Sequence, residues 1–206
     1  MKLFRERPFS DAAKIIYGNI EKSIDHTPTM SIKNDNLEAL AKVISKKHHI
    51  SPPQLYFDRM TVETVMGQRS GREYPGDADV NRNSWYDCAF VNYTIPIDPH
   101  GNLELLTIAP TTGTWTWDAD LFDYYNLRFT LRTFYSTTDL PEHLRKELKT
   151  KAIEIVDGIK RCLELLKGDC DKLNETLEEY TLTKLKKYKD LLDKADKQND
   201  DLNPLK

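Results

Sequence analysis

The run from Leu140 to Ala195, LPEHLRKELKTKAIEIVDGIKRCLELLKGDCDKLNETLEEYTLTKLKKYKDLLDKA, decides how the rest of the chain is read. Apolar side chains recur at Leu144, Leu148, Ala152, Ile155, Ile159, Cys162, Leu166, Cys170, Leu173 and Leu177. Steps of four and three residues let a helix lay one continuous stripe against a partner. Pro141 suits the first turn of such a helix, and Asp139 suits its cap. Gly168-Asp169 offers a stop. Yet the stripe keeps register through Leu166, Cys170 and Leu173, and a glycine inside a helix costs only about 1 kcal/mol. Thr176 and Glu179 have the spacing of a capping box, which predicts a break at Asn174-Glu175-Thr176. The expectation is a helix of roughly 50 Å ending near Leu173. A second follows from Leu177 to Ala195 with Leu177, Leu185, Tyr188 and Leu192 inward. Together they make a long C-terminal helical hairpin, and Asp196 to Lys206 is a polar tail.

Upstream of this run the period changes to two. Asn126 to Tyr135 is the cleanest strand: Leu127, Phe129, Leu131 and Thr133 face one way, and Arg128, Thr130, Arg132 and Phe134 the other. That is the pattern of an antiparallel sheet with one face covered. Tyr86 to Ile97 is a second strand, with Val91, Tyr93, Ile95 and Ile97 on one face. Asp98-Pro99-His100-Gly101-Asn102 reads as a turn by its chemistry, and Leu103 to Ala109 as the hairpin partner after it. Thr111-Thr112-Gly113 is a further turn, with an extended piece from Thr114 to Trp117. Leu55 to Thr64 is a strand in which neither face is cleanly polar. Gly67 to Trp85 is a polar, glycine-containing loop. At the N-terminus, Ser10 caps a helix from Asp11 to Ile24. Asn34 or Asp35 opens another to Lys47, buried through Leu37, Leu40, Ala41, Val43 and Ile44, and Pro52-Pro53 ends it. The fold class is therefore α+β: an antiparallel sheet of four to five strands, two N-terminal helices and the C-terminal helical hairpin. The expected division is a body over 1–139 and the helices over 140–206, packed as one structural unit.

In 206 residues, 30 basic against 33 acidic side chains leave a formal charge of −3, which argues against general binding of nucleic-acid backbones. No apolar run has signal-peptide or membrane-span length, which points to a cytosolic protein without membrane attachment. Three cysteines agree with a reducing compartment. Cys162 and Cys170 stand about 12 Å apart on a continuous helix, beyond disulfide reach. They read as small buried hydrophobes, and Cys88 lies alone in a strand with no base beside it.

Asp171-Lys172-Leu173-Asn174, then Leu177 and a lysine-rich helix ending near Asn203-Pro204-Leu205, resembles the end of an uncharacterised bacterial domain. Pro52-Pro53-Gln54-Leu55-Tyr56-Phe57-Asp58 is similar to its first strand. Such domains precede nuclease or Toll/interleukin-receptor-like effector domains in proteins ascribed to antiviral defence. The resemblance spans most of 37–206, carries no catalytic residue across, and implies either a truncated or a stand-alone relative, since no effector follows Lys206.

Several side chains can carry a site. Trp115 and Trp117 share one strand face, as a stacking platform for a planar ligand or as core and rim aromatics. Arg69, Arg72 and Arg82 in the loop, with Arg128 and Arg132 on one strand face, can form a site for a small anion through bidentate guanidinium contacts. They also fit a solvated face and a polar loop, which additionally holds Glu73, Asp77 and Asp79. Asp87, Asp98 and Glu104 invite comparison with metal-dependent nucleases, but no lysine follows Glu104, and Asp98 is explained by its turn. His48, His49 and His100 lack metal-ligand spacing. No cofactor, metal or catalytic residue is assigned. The expected function is a non-catalytic binding module, the sensing or scaffold part of a bacterial defence system, with a protein partner or homodimer through the C-terminal helices. The alternative is a metal-dependent hydrolase of nucleic acid or a phosphate-containing ligand.

Overall fold

The computed structural model describes residues 3–34, 36–76, 78–98, 100–113, 120–123 and 125–203, at 120–123 by backbone alone. It is an α+β protein whose contacts group into two compact units, Met1–Arg7 with Pro52–Leu165, and Pro8–Ser51 with Leu166–Lys206. The chain thus divides inside its long helix, not at the expected boundary of 139 and 140.

In the first unit, strands β2 (Thr61–Ser70), β3 (Trp85–Pro96) and β6 (Asn126–Arg132) form the sheet. β2 pairs antiparallel with β3 from Thr61 opposite Thr94 to Ser70 opposite Trp85, and β3 pairs with β6 from Phe90 opposite Arg132 to Pro96 opposite Asn126. The four-residue β5 (Asp120–Asp123) joins the far edge of β6 through an irregular register. Two-residue strands β1 (Arg7–Pro8) and β4 (Ile108–Ala109) make a separate ladder. The expected single sheet of four to five strands is thus three long strands with short additions.

The alternation of β3 and β6 sets the inner face. Val91, Tyr93, Ile95, Leu127 and Phe129 are buried, and the cross-strand pair Tyr93 and Phe129 stacks at 4.8 Å between ring centroids. Aromatic pairs in this register add to sheet stability beyond their area. The outer face is polar at its centre, where Thr130 donates to Asn92 Oδ1 at 2.7 Å.

Three strand expectations are corrected. Leu55 makes only an isolated bridge to Ile97, and Phe57–Arg59 is a 3-10 turn, so the first long strand starts at Thr61 and runs to Ser70. The polar loop consequently shrinks to 71–84. Leu103–Thr107 is a 3-10 helix capped by Asn102, not the partner of β3. The apolar Leu105, Leu106 and Ile108 suit a strand, but a 3-10 turn also places Leu105 and Leu106 inside. The preceding turn folds back on Pro53: a Cβ on Gly101 would lie 2.4 Å from Pro53 Cα, and Asp98 N donates to Gln54 O at 2.9 Å.

The second unit holds α1 (Phe9–Asp25), α2 (Thr29–Asn34), α3 (Leu37–Lys47) and the later part of α4 (Glu142–Leu202). α1 begins at Phe9 with no side-chain cap, so Ser10 lies inside it. The cap of α3 is Asn36, whose Oδ1 accepts from Glu38 N and Ala39 N. Within α3, Ala41 and Ile44 are buried while Val43 is exposed. The short α2 follows Pro28, whose carbonyl accepts from Ser31 N and Ile32 N.

The hairpin expectation is overturned, because α4 is one helix of 61 residues, about 90 Å of contour at 1.5 Å per residue. The polar triplet that suggested a break makes contacts instead. Asn174 Oδ1 accepts from Ile50 N at 3.0 Å, and its Nδ2 donates to Ile50 O at 2.8 Å. Thr176 Oγ1 donates to Leu173 O and meets Tyr17 Oη at 3.2 Å. The stripe is as read over most of its length: Leu148, Ala152, Ile155, Ile159, Cys162, Leu166, Cys170, Leu173, Leu177 and Leu185 are buried, whereas Leu144, Tyr188 and Leu192 are only half-buried. No helix among the described residues is long and apolar enough to cross a membrane.

Candidate functional site

Of the five arginines read as an anion site, the fold brings two together. Arg69, near the end of β2, donates Nε to Glu73 Oε2 at 3.0 Å and Nη1 to Thr133 O at 3.3 Å, and its guanidinium lies 4.0 Å from the Phe134 ring centre. Arg132 reaches the same Glu73 oxygen at 3.5 Å. Burial alone would raise the Glu73 carboxyl; hydrogen bonds from Arg69 and the Ser70 backbone, with the charges of Arg69 and Arg132, hold it below the usual range. Arg128 donates to Thr94 Oγ1 at 3.4 Å and stands four residues along β6 from Arg132, about 13 Å away. Arg72 donates to Asn83 Oδ1. Arg82 donates to the carbonyls of Gly71, Tyr74, Pro75 and Gly76 at 2.7 to 3.1 Å. It staples the loop. Trp115 and Trp117 lie outside the described residues.

Beneath the Arg69–Glu73–Arg132 cluster is Cys88, fully buried, its thiol pushed up by that burial. A nucleophile needs the opposite shift. The carboxylates do not converge either. Asp87 accepts from Gln68 Nε2 near one end of β3, whereas Asp98 caps His100 N beyond the other, a separation of about 36 Å along an extended strand. Glu104 sits in the capped 3-10 helix. Among the described residues, no group of three His, Cys, Asp or Glu side chains is placed to hold a metal ion.

A different feature of the first unit has the form of a binding site. On the inner face, Val62, Thr64, Val91 and Tyr93 of β2 and β3 meet Thr138 and Leu140, just before α4, and Arg145 and Leu148 near its start around a groove of about 220 Å³. Its walls mix the apolar Val62, Val91, Tyr93, Leu140 and Leu148 with the Thr64 and Thr138 hydroxyls and the Arg145 guanidinium. Among the described residues Arg145 makes no side-chain ion pair or hydrogen bond, whereas Lys146 and Lys151 are paired with Glu142 and Glu147. A few convergent polar groups in an apolar cleft are the usual make-up of a ligand site. Val62, 55% exposed, and Met66, 46% exposed, continue the apolar surface along β2. The sequence carried a trace of this surface in a strand with no cleanly polar face. Arg145 was hidden among the mixed charges of the helix.

In the second unit, Tyr180 Oη donates to Glu21 Oε1 at 2.7 Å, Lys184 pairs with the same carboxylate, and Tyr17 lies 4.5 Å from Tyr180 between ring centroids. The Lys184 hydrogen bond, with that of Tyr180, lowers the Glu21 carboxyl. Glu21, Lys184, Ile24, Asp25 and Tyr188 border a hollow of about 310 Å³, but its Glu21 and Lys184 charges already pair with each other. His48 accepts or donates through Nε2 with Ser23 Oγ at 2.8 Å, and burial lowers its pKa.

No family model, curated protein or solved structure matches this chain.

Proposed function

We propose that this chain is a non-catalytic binding module. Its groove between β2, β3 and the start of α4 takes an apolar group bearing a carboxylate from a partner protein. The observation that carries this reading is Arg145: a guanidinium with no side-chain partner among the described residues, on the wall of a groove that also holds apolar side chains and two threonine hydroxyls. A carboxylate supplies the charge-assisted bonds such a group lacks. The surface differs from the C-terminal helices first expected to bind a partner, because the stripe of α4 is covered within the chain. The hydrolase alternative loses support because Asp87 and Asp98 bracket β3. A sensing or scaffold role in bacterial defence rests on the resemblance of 52–58 and 171–177, and a cytosolic setting fits three buried free thiols.

The test uses 1-anilinonaphthalene-8-sulfonate, an apolar anion, as the probe. Its fluorescence rises on binding to the native protein, and Arg145→Gln weakens that binding about tenfold, equivalent to ~1.5 kcal/mol for a charged hydrogen bond. Arg72→Gln leaves it unchanged. Equal binding by the Arg145 variant would remove the groove from consideration. Nucleic-acid cleavage with Mn²⁺ that Asp87→Ala abolishes would restore the hydrolase. The defence role predicts that a strain lacking the gene plaques more readily with phage.

A further inference from the structure

The edge of the sheet carries a second surface, independent of what the groove binds. β2 is the terminal strand in the order β2-β3-β6-β5, and its ten residues pair with β3 without a bulge. An edge of that length normally bears proline, lysine or a bulge to discourage pairing with another chain. The sequence TVETVMGQRS has none of these, and its exposed apolar side chains are Val62 and Met66.

The charges along β2 select one partner. Glu63 and Arg69 each stand three residues from Met66, on the outer face, while Met66 is on the inner face. Among the described residues Glu63 makes no ion pair or side-chain hydrogen bond. At the other end, Arg69 and Arg132 share the single carboxylate of Glu73, which leaves one positive charge in the cluster. An antiparallel second copy related by a two-fold axis through Met66 sets Glu63 opposite Arg69 twice, and each cluster becomes neutral. The same register pairs Thr64 with Gln68, Val65 with Gly67, Val62 with Ser70 and Met66 with itself. It uses nearly the whole strand. An axis through Thr64 faces Glu63 with Val65 and pairs only 61–67; an axis through Val65 faces Glu63 with Gly67. Neither joins opposite charges at Glu63.

We propose that two copies of this chain associate through β2, antiparallel about a two-fold axis at Met66, with Glu63 of each copy on Arg69 of the other. Directly opposed residues in an antiparallel pair lie about 4.5 to 5.5 Å apart between Cα atoms, within the range a disulfide spans. Met66→Cys therefore cross-links into a covalent dimer under mild oxidation. Thr64→Cys does not, because this register displaces it from its own mate by about 13 Å. The native cysteines are buried and do not compete. Light scattering of the unaltered protein reads two copies, and Glu63→Lys weakens the association at least tenfold with an unchanged far-UV circular dichroism spectrum. A one-copy mass throughout a dilution series overturns the proposal and leaves the edge to an extended segment of another protein. So does a dimer in which Thr64→Cys cross-links and Met66→Cys does not, or one indifferent to Glu63→Lys. Probe binding at the groove is scored separately, so either proposal can fail without the other.

Discussion

Arg82 donates to four backbone carbonyls between Gly71 and Gly76, and in doing so uses the same forked donor that would grip a phosphate. Residue type alone cannot separate these uses, which is why the five arginines read both as an anion site and as a solvated face and polar loop. Gly67 shows a constraint of another kind. A Cβ there would meet the Phe90 ring at 2.6 Å, so the glycine in β2 admits the aromatic side chain of its neighbour strand. Cys162 and Cys170 were legible, because their place on the apolar stripe predicted burial. That burial has a measurable consequence. The Cys170 thiol is pushed up to about 12, by desolvation first and by Asp169 and Asp171 after it, whereas an unfolded thiol titrates near ~8.5. The unfolded chain then binds fewer protons than the folded one between those values, so stability is fully present below about pH 8.5 and falls as pH rises toward 12. Urea midpoints measured from pH 8 to 11 decline, and the slope is shallower in Cys170→Ala even though that variant starts lower. Identical slopes would refute the assignment.

At the scale of elements, α4 separates what periodicity can tell from what it cannot. Its stripe was readable from Leu148 to Leu185 because burial follows helical spacing. Its continuity was not, because Asn174 and Thr176 have cap-like chemistry and the residues they serve, Ile50 and Tyr17, are remote in sequence. Leu103–Thr107 misled for a related reason: paired burial is common to a central strand and a short 3-10 turn, and only the approach of Gly101 to Pro53 decides between them. The helix gives an opposed pair of substitutions. At Gly168 an added Cβ meets nothing within 4 Å, so Gly168→Ala replaces a flexible residue by the best helix former and raises stability by about 0.5–1 kcal/mol. Asn174→Ala removes both hydrogen bonds to part-buried Ile50 backbone groups and lowers it by about 1–3 kcal/mol. Equilibrium urea denaturation followed by circular dichroism measures both. If the helix instead broke at Asn174, that variant would be near neutral.

Across the whole molecule, the chain enters the second unit after Arg7, leaves it at Ser51, and returns to it from Leu166. Charge balance and the class of fold could be read in advance, but this interleaving could not, since helical periodicity says which face is covered and not by which segment. The groove shared the same fate. Its residues come from β2, β3 and α4, and no local spacing joins Val62 to Arg145. Interleaving also makes the two units unequal in folding. The β2–β3 ladder begins with Ser70 opposite Trp85, a separation of 15 residues, whereas Tyr180 meets Glu21 across 159. Loop closure must be met before distant contacts contribute, so the hairpin belongs to the folding nucleus and the contacts of α1 with α4 form after it. Ile95→Val, in the buried face of β3, should therefore slow folding, with a loss of about 0.5–1.5 kcal/mol divided mainly onto that limb. Leu177→Ala, fully buried in the second unit, costs about 2–5 kcal/mol and should appear mainly as faster unfolding. Stopped-flow chevrons of the two variants decide the order. A folding limb lowered by Leu177→Ala and untouched by Ile95→Val would reverse it and make the helical unit the nucleus.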